Sequence, residues 1–562
     1  MTETYRAGSL PGHTPEEVAA YLSAGYWGTD SVADYVRRWR ERMPGAVAFG
    51  SEDACMSWEQ YDVLSDQLAG ILVQCGLDRG SRVAVMLPDG PEVHAAWLGA
   101  EKAGLIAVGI GARAGDREIA HLVRKSDAQA IITGPPLRGR SPDDVVPALT
   151  TRGLSLRHIR LGEIAADGWS RVTVDGVPVT PPGSSLPELA RRRLGPSEIF
   201  MINSTSGTTG LPKCVAHTQN RWVYFHQLAV DAGDLSGDDV FCSAIPSPFG
   251  FGLWTAHFTP TVLGAPTYQQ RRFQAEELLA LLAERRVTVL SAVSTQFIML
   301  LNSPTLAHTD LSALRVLFTG GETVPYQRAA EFEERTGTKV LQFYGSNETG
   351  AASYTTIRDD RPHRLTTAGK VIPEMQVRLV DTGTGARATR GRGQPACRGP
   401  ATCEGYWNDP EGNAALYTDD GWMLMGDLTE IDEDGYLSVV GRTSDIIIRG
   451  GKNISAPAVE AEVATHPGVA MAAAVAMPDP VFGERVCLYA QPRPGHYITL
   501  DDIVAHLDGR GVSREWFPER LVTVEHLPMS SGGKIAKAEL RADIRRRLGG
   551  PADAAEPHYT ER

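Results

Sequence analysis

The chain has 562 residues, of which 42% are hydrophobic, enough for two or more domains with sizeable cores, and its composition excludes disordered and collagen-like classes. A formal net charge of −13 argues against broad nucleic-acid binding and against docking on an anionic membrane. Seven cysteines without a CxxC pair or zinc-ligand spacing point to reduced thiols and a cytoplasmic location.

The opening stretch, MTETYRAGSLPGHTPEE, lacks a basic region followed by an apolar core, so no export signal is expected. TPEEVAAYL predicts a helix with Thr14 as N-cap, Pro15 in the first position and Glu17 closing a capping box. SWEQYDVLSDQLAGILVQCG predicts a second. Ser57 and Gln60 form its box, Tyr61, Leu64, Leu68, Ile71, Leu72 and Cys75 recur at helical spacing, and Gly76 ends it. A buried strand from Val83 to Leu87, a helix, the strand LIAVGIG, a helix from Gly115 and the strand AIIT follow. The longest apolar run, HAAWLGAEKAGLIAVGIGA, is interrupted by Glu101 and Lys102, so no stable membrane insertion is expected. The alternation resumes with a helix around Glu276–Glu284 and the strands VTVLSAV, VLFTGGE and VLQFYGSNETG. This pattern reads as α/β, a parallel sheet covered by helices.

From about Met375 short strands and frequent glycines predict a β-rich subdomain up to GYLSVVGR. Past Arg442, roughly 100 residues have their own periodicity, as expected of a small α+β domain. The expected division is a large N-terminal domain over 1–441, a hinge at 442–445, a small C-terminal domain over 446–548 and a polar tail over 549–562 that should fray.

Chemistry first shows in STSGTTGLPK, Ser204 to Lys213. Gly207 and Gly210 permit close backbone approach to an anion, Ser206, Thr208 and Thr209 offer hydroxyls, and Lys213 offers a point charge. Walker A spacing counted from Gly207 requires glycine, lysine and serine or threonine at 212–214; the chain has Pro212, Lys213 and Cys214. The alternatives are a different phosphate loop or an ordinary polar loop after a strand.

TSGTTGLPK resembles the signature phosphate loop of the adenylate-forming superfamily, the acyl- and aryl-CoA synthetases, stand-alone adenylation domains and luciferases. Further stretches resemble that superfamily in chain order: FTGGE its adenine-side loop, YGSNETG its YGxTE motif, GWMLMGD its GWxxTGD motif, GRTSDIIIRGGKNISAPAVE its hinge and C-terminal opening, and SSGGKIAKAEL its lysine loop. GYWG and RAGDREIAHLVRKSDA resemble the aryl- and cyclohexanecarboxylate-activating branch.

The resemblance implies a reaction in which a carboxylate attacks the α-phosphate of ATP, giving acyl-AMP and pyrophosphate. Both reactants are anions, so the site must neutralise charge before they meet. It implies nucleotide contacts from Thr205, Ser206, Gly207, Thr208, Thr209 and Gly210, from Gly320, Gly321 and Glu322, and from Phe343, Tyr344, Gly345, Ser346 and Asn347. Lys213 and Lys534 would act as catalytic cations, Glu348 would hold Mg²⁺, Tyr344 would stack on adenine, and Asp427 with Arg442 would grip the ribose. Gly450, Gly451 and Lys452, in the RGGKN loop from Arg449 to Asn453, would line a thiol tunnel after the small domain rotates. Three positions depart from the pattern: Asn347 and Met425 replace threonine, and Ser444 replaces a charged hinge residue.

In IPSPFGFGLW, Gly250 falls where amino-acid-activating relatives carry aspartate, so a substrate ammonium would be buried unpaired. Glycine there is expected to vacate volume for an apolar acid, with Phe249, Phe251 and Trp254 as walls; the aromatics alternatively serve as core. The expectation is an ATP- and Mg²⁺-dependent ligase joining an aryl, alicyclic or fatty acid to coenzyme A. Loading of a carrier-protein phosphopantetheine stays open as the alternative, and a nucleotide-binding regulator without turnover as a third reading.

Overall fold

The protein is described by a computed structural model over residues 10–111, 114–136, 141–182, 187–205, 212–321, 324–381, 383–442, 445–449, 452–530 and 533–549. Helices begin where capping chemistry places them. Glu17 N donates to Thr14 Oγ1 at 3.2 Å while Thr14 N donates to Glu17 Oε2 at 2.8 Å, starting the helix Pro15–Ser23. Ser57 and Gln60 exchange the same pair of bonds at the start of Trp58–Gln74. The long apolar run splits into the buried helix Pro91–Ala103 and the strand Ile106–Gly109, separated by Gly104 in the left-handed region at φ +76. No helix among the described residues is long and apolar enough to cross a membrane. All seven cysteines carry free thiols.

The expected parallel sheet is two sheets. One, of nine strands among the described residues, has a parallel centre: Val47–Gly50, Thr267–Gln269, Phe241–Ser243, Val289–Ser291, Val316–Gly320 and Lys339–Ser346. The other, of eight, runs parallel from Arg157–Leu161 through Ala128–Thr133, Arg82–Met86 and Ile106–Gly109 to Ile199–Ser204. Both carry antiparallel edges, several of them hairpins whose short loops leave no room for the helix of a parallel crossover. The edge pair Ile199–Ser204 and Cys214–Thr218 is such a hairpin.

A third, antiparallel sheet gathers Arg378–Val380, Gly391–Cys397, Asp427–Ile431 and Leu437–Arg442, the β-rich stretch read from the sequence. Beyond Ile446–Arg449, a further sheet built around the hairpin Val469–Asp479 and Gly483–Pro492 carries the helices Ala456–Val463, Leu500–Gly509 and Lys537–Gly549 and has its own apolar clusters. The result is mixed α/β, a large N-terminal part and a smaller C-terminal one.

Candidate active site

In open α/β sheets ligands gather beyond the carboxyl ends of the parallel strands. Five such ends converge here. Ile199–Ser204 runs into Thr205, Phe241–Ser243 leads to Phe249 and Gly250, Val289–Ser291 to Val293, Val316–Gly320 to Gly321, and Lys339–Ser346 to Asn347 and Glu348. They enclose a cleft with two compartments of about 420 and 430 Å³, both bordered by Thr205, Gly320, Gly321, Phe343, Tyr344, Gly345 and Lys534.

The ends of the Ser204–Lys213 stretch join the antiparallel strands Ile199–Ser204 and Cys214–Thr218. Ser204 pairs with Cys214, and Thr205 N donates to Lys213 O at 3.1 Å, closing its neck. A Walker A loop instead joins a strand to a helix, which accounts for the failed spacing. Ser206, Gly207, Thr208, Thr209 and Gly210 lie outside the described residues, as do Glu322, Gly450, Gly451 and Ser444; Arg442 and Lys452 are described through their backbones only, in the strands Leu437–Arg442 and Lys452–Ser455.

Lys213 holds its Nζ 4.3 Å from the centre of the Tyr406 ring, and the Tyr406 hydroxyl donates to Glu348 Oε1 at 2.7 Å. One tyrosine therefore spaces the cation from the carboxylate, touching the first with its face and the second with its edge. Burial, and then the charge of Glu348, push the Tyr406 hydroxyl well above the usual phenol range, so it stays a donor. Beneath this pair lies Arg221, fully buried in the first turn of the helix Gln219–Gly233. It donates to the backbone oxygens of Ala401 at 2.8 Å and Asn347 at 3.0 Å. Burial lowers its basicity to about 10, which leaves it charged at neutral pH. Tyr406 and Arg221 escaped the sequence reading; each sits in a stretch, GYWND or HTQNRW, with no marked bias of its own.

On the other side, Tyr344 donates its hydroxyl to Asp427 Oδ2 at 2.9 Å. Asp427 opens the strand Asp427–Ile431 and pairs in register with Arg442, so the two expected ribose residues share one rung of a ladder. Lys534 comes from the C-terminal part in a tight turn, where Ser530 N donates to Lys534 O at 2.6 Å. Its Nζ donates to Gly321 O at 2.6 Å. Gly321 has φ +78, a backbone conformation that favours glycine, and a Cβ there would stand 2.8 Å from Lys534 Nζ and displace the end of that side chain. Asp445, the last residue of the expected hinge, is gripped by Arg541 at 3.0 Å and Lys537 at 3.8 Å.

The second compartment is lined by Phe249, Phe251 and Trp254, the three aromatics singled out in the sequence, and also by Trp222 and Phe225; Trp254 is at the same time part of the buried core. Trp254 and Phe251 stack with ring centres 5.2 Å apart. Trp254 sits in a π-helical turn, Leu253–Phe258, that left no sequence signal. Gly250 lines the compartment, but the vacancy expected beside it is filled: a Cβ would overlap Asn347 Oδ1 and stand 3.3 Å from Trp222 Cη2.

The hairpin neck at Thr205–Lys213, the carboxylate of Glu348 beyond a strand end and a lysine brought from the C-terminal part stand together at this cleft. The family model described as AMP-binding enzyme matches residues 36–407 and that described as AMP-binding enzyme C-terminal domain matches 458–534, so the chain belongs to the AMP-binding enzyme family. Among its relatives, it is 31% identical to the medium-chain fatty-acid–CoA ligase of Escherichia coli K12 over 94% of this chain and 93% of that one. It is also 31% identical to the salicylyl-CoA synthase / salicylate adenylyltransferase of a Streptomyces species over 98% and 99%. A solved structure, the amide bond synthetase McbA of Marinactinospora thermotolerans, superposes with a TM-score of 0.76 at 27% identity, covering 92% of this chain and 100% of that one.

Proposed function

We propose that this chain is an AMP-forming acid–thiol ligase that activates a hydrophobic carboxylic acid with ATP and transfers the acyl group to coenzyme A. The observation that carries the reading is Lys534, brought from the C-terminal part to Gly321 at the border shared by both compartments. An acid in the aromatic compartment and a nucleotide on the Tyr344–Asp427 side would meet at that ammonium. There an acid oxygen attacks the α-phosphorus, the bond to the β-phosphate oxygen breaks, and pyrophosphate leaves. Lys534 neutralises charge where the two anions approach, and Lys213 does so from the phosphate loop. In the second half-reaction the thiol gives up its proton, its sulfur attacks the acyl carbon, and AMP leaves.

Glu348 suits a magnesium ion. Its Oε1 is fixed by the hydroxyl of Tyr406, whose ring also carries Lys213 Nζ. Magnesium is characteristically held by one or two carboxylates together with substrate phosphates. When bound, it would screen the phosphate charge; Glu348 would hold and orient it.

The test is pyrophosphate release over a panel of aromatic, alicyclic and fatty acids with amino acids included, followed by product analysis with coenzyme A against holo-carrier protein. Release with an apolar acid and a coenzyme A thioester product are expected. No release with any acid would remove the adenylation reading, best turnover of amino acids would remove the apolar pocket, and thioester on the carrier alone would assign the carrier as acceptor.

A further inference from the structure

The filled space beside Gly250 has a source. Asn347 Nδ2 donates to Asn203 Oδ1 at 2.7 Å, and Asn203 Nδ2 donates back to Asn347 Oδ1 at 3.2 Å. Asn203 is itself buried in the strand Ile199–Ser204 and is held by His217, whose Nε2 lies 2.6 Å from the same Oδ1. Arg221 lies 2.5 Å from His217 Nδ1. Arginine only donates, so Nδ1 accepts, Nε2 carries the proton, and His217 donates to Asn203. Each link of the chain Arg221–His217–Asn203–Asn347 then joins a donor to an acceptor, and the orientation of both amides follows from it. Arg221 also holds the Asn347 carbonyl, so this residue is fixed at backbone and side chain alike.

A clamped amide cannot give way. A Cβ at position 250 would run into Asn347 Oδ1, which could retreat only by breaking the reciprocal pair with Asn203. Asn347 moreover borders the aromatic compartment, and it is absent from the lining of the compartment that holds Asp427. The reciprocal pair uses one of its two N–H groups and one lone pair of Oδ1, so the amide edge retains polar capacity toward the cleft.

We infer that Asn347, locked by Asn203, is a specificity-determining residue that forms the size-limiting wall of the acid compartment, and that Gly250 is glycine to make room for it. The inference rests on the adenylation reading above. It assigns to Asn347 the boundary that Gly250 would set if its missing side chain simply left space for the acid.

The experiment is a double-mutant cycle over Asn347→Ala and Gly250→Ala, with Asn347→Ser as a milder second variant. Acid-dependent pyrophosphate release is measured over a homologous series of straight-chain and ring-extended acids, with melting temperature read in parallel. Wild-type release establishes the adenylation reading; its absence with every acid fells that reading and this inference together. Given release, Asn347→Ala and Asn347→Ser should move the optimum to longer acids, with the KM for ATP within about two-fold of wild type. Gly250→Ala should raise the KM for the preferred acid at least about ten-fold and lower the melting temperature, and both losses should largely disappear beside Asn347→Ala. An unchanged size optimum overturns the inference, as does a Gly250→Ala penalty that is the same in both backgrounds. A raised KM for ATP with acid preference intact also overturns it and returns Asn347 to the phosphates.

Discussion

Tyr406 offers the sharpest test of how the catalytic groups are arranged. In Tyr406→Phe the ring keeps its place under Lys213 Nζ, 4.3 Å from its centre, while the 2.7 Å bond to Glu348 Oε1 is lost. A hydrogen bond to a charged group contributes about 1.5–3 kcal/mol. Glu348 is half-buried, so water replaces part of the hydroxyl, and the lower end of that range applies. About 1.5–2 kcal/mol corresponds to a roughly 10- to 30-fold loss of kcat/KM. Tyr406→Leu also removes the aromatic face, adding about 0.5–1 kcal/mol of cation–π attraction, or a further two- to five-fold. The assay is acid-dependent ATP–pyrophosphate exchange across a magnesium titration. Because the lost bond orients the carboxylate, raising magnesium should recover part of the Tyr406→Phe deficit. Exchange within two-fold of wild type, with an unchanged magnesium dependence, would refute the claim that Tyr406 positions Glu348.

Lys534→Ala should lower acyl-adenylate formation by about 10²–10³, the scale of removing one donor from a developing charge, while sparing thioester formation from supplied acyl-AMP; near wild-type adenylation would sink the assignment. Glu101 gives a pH signature away from the cleft. It is fully buried beside Ala33, whose N–H it accepts at 3.2 Å, and burial raises its carboxyl from an ordinary 4.5 to about 7. Between those values the folded chain keeps a proton that the unfolded chain releases, so stability is fully present below about pH 4.5 and falls as pH rises to about 7. The accumulated cost is on the order of 3 kcal/mol. Glu101→Gln should therefore melt higher than wild type at pH 8 and much like it at pH 5; an equal difference at both would show that Glu101 does not titrate on unfolding.

The sequence determined whatever depends on neighbours along the chain. The capping boxes at Thr14–Glu17 and Ser57–Gln60 close within one helical turn, so their residue types suffice to place two helix starts. The glycine-and-hydroxyl bias of Ser204–Lys213 singles out a candidate anion loop for the same reason, since its donors lie within ten consecutive residues. Glu348 and Lys534 were singled out by their motifs, although nothing local shows that Lys534 meets Gly321 across 213 positions. What needed the tertiary structure depends on contacts between distant segments. Tyr406 reaches Glu348 over 58 positions, and Arg221 holds the carbonyl of Asn347 over 126; tyrosine and arginine are ordinary residues wherever they stand alone. Gly250 shows the difference most plainly. Composition says only that a side chain is missing there, and whether the space belongs to a ligand or to a neighbour is decided by packing. Asn347 fills it, 97 residues away in the chain, because Asn203 and Arg221 leave its amide nowhere else to go.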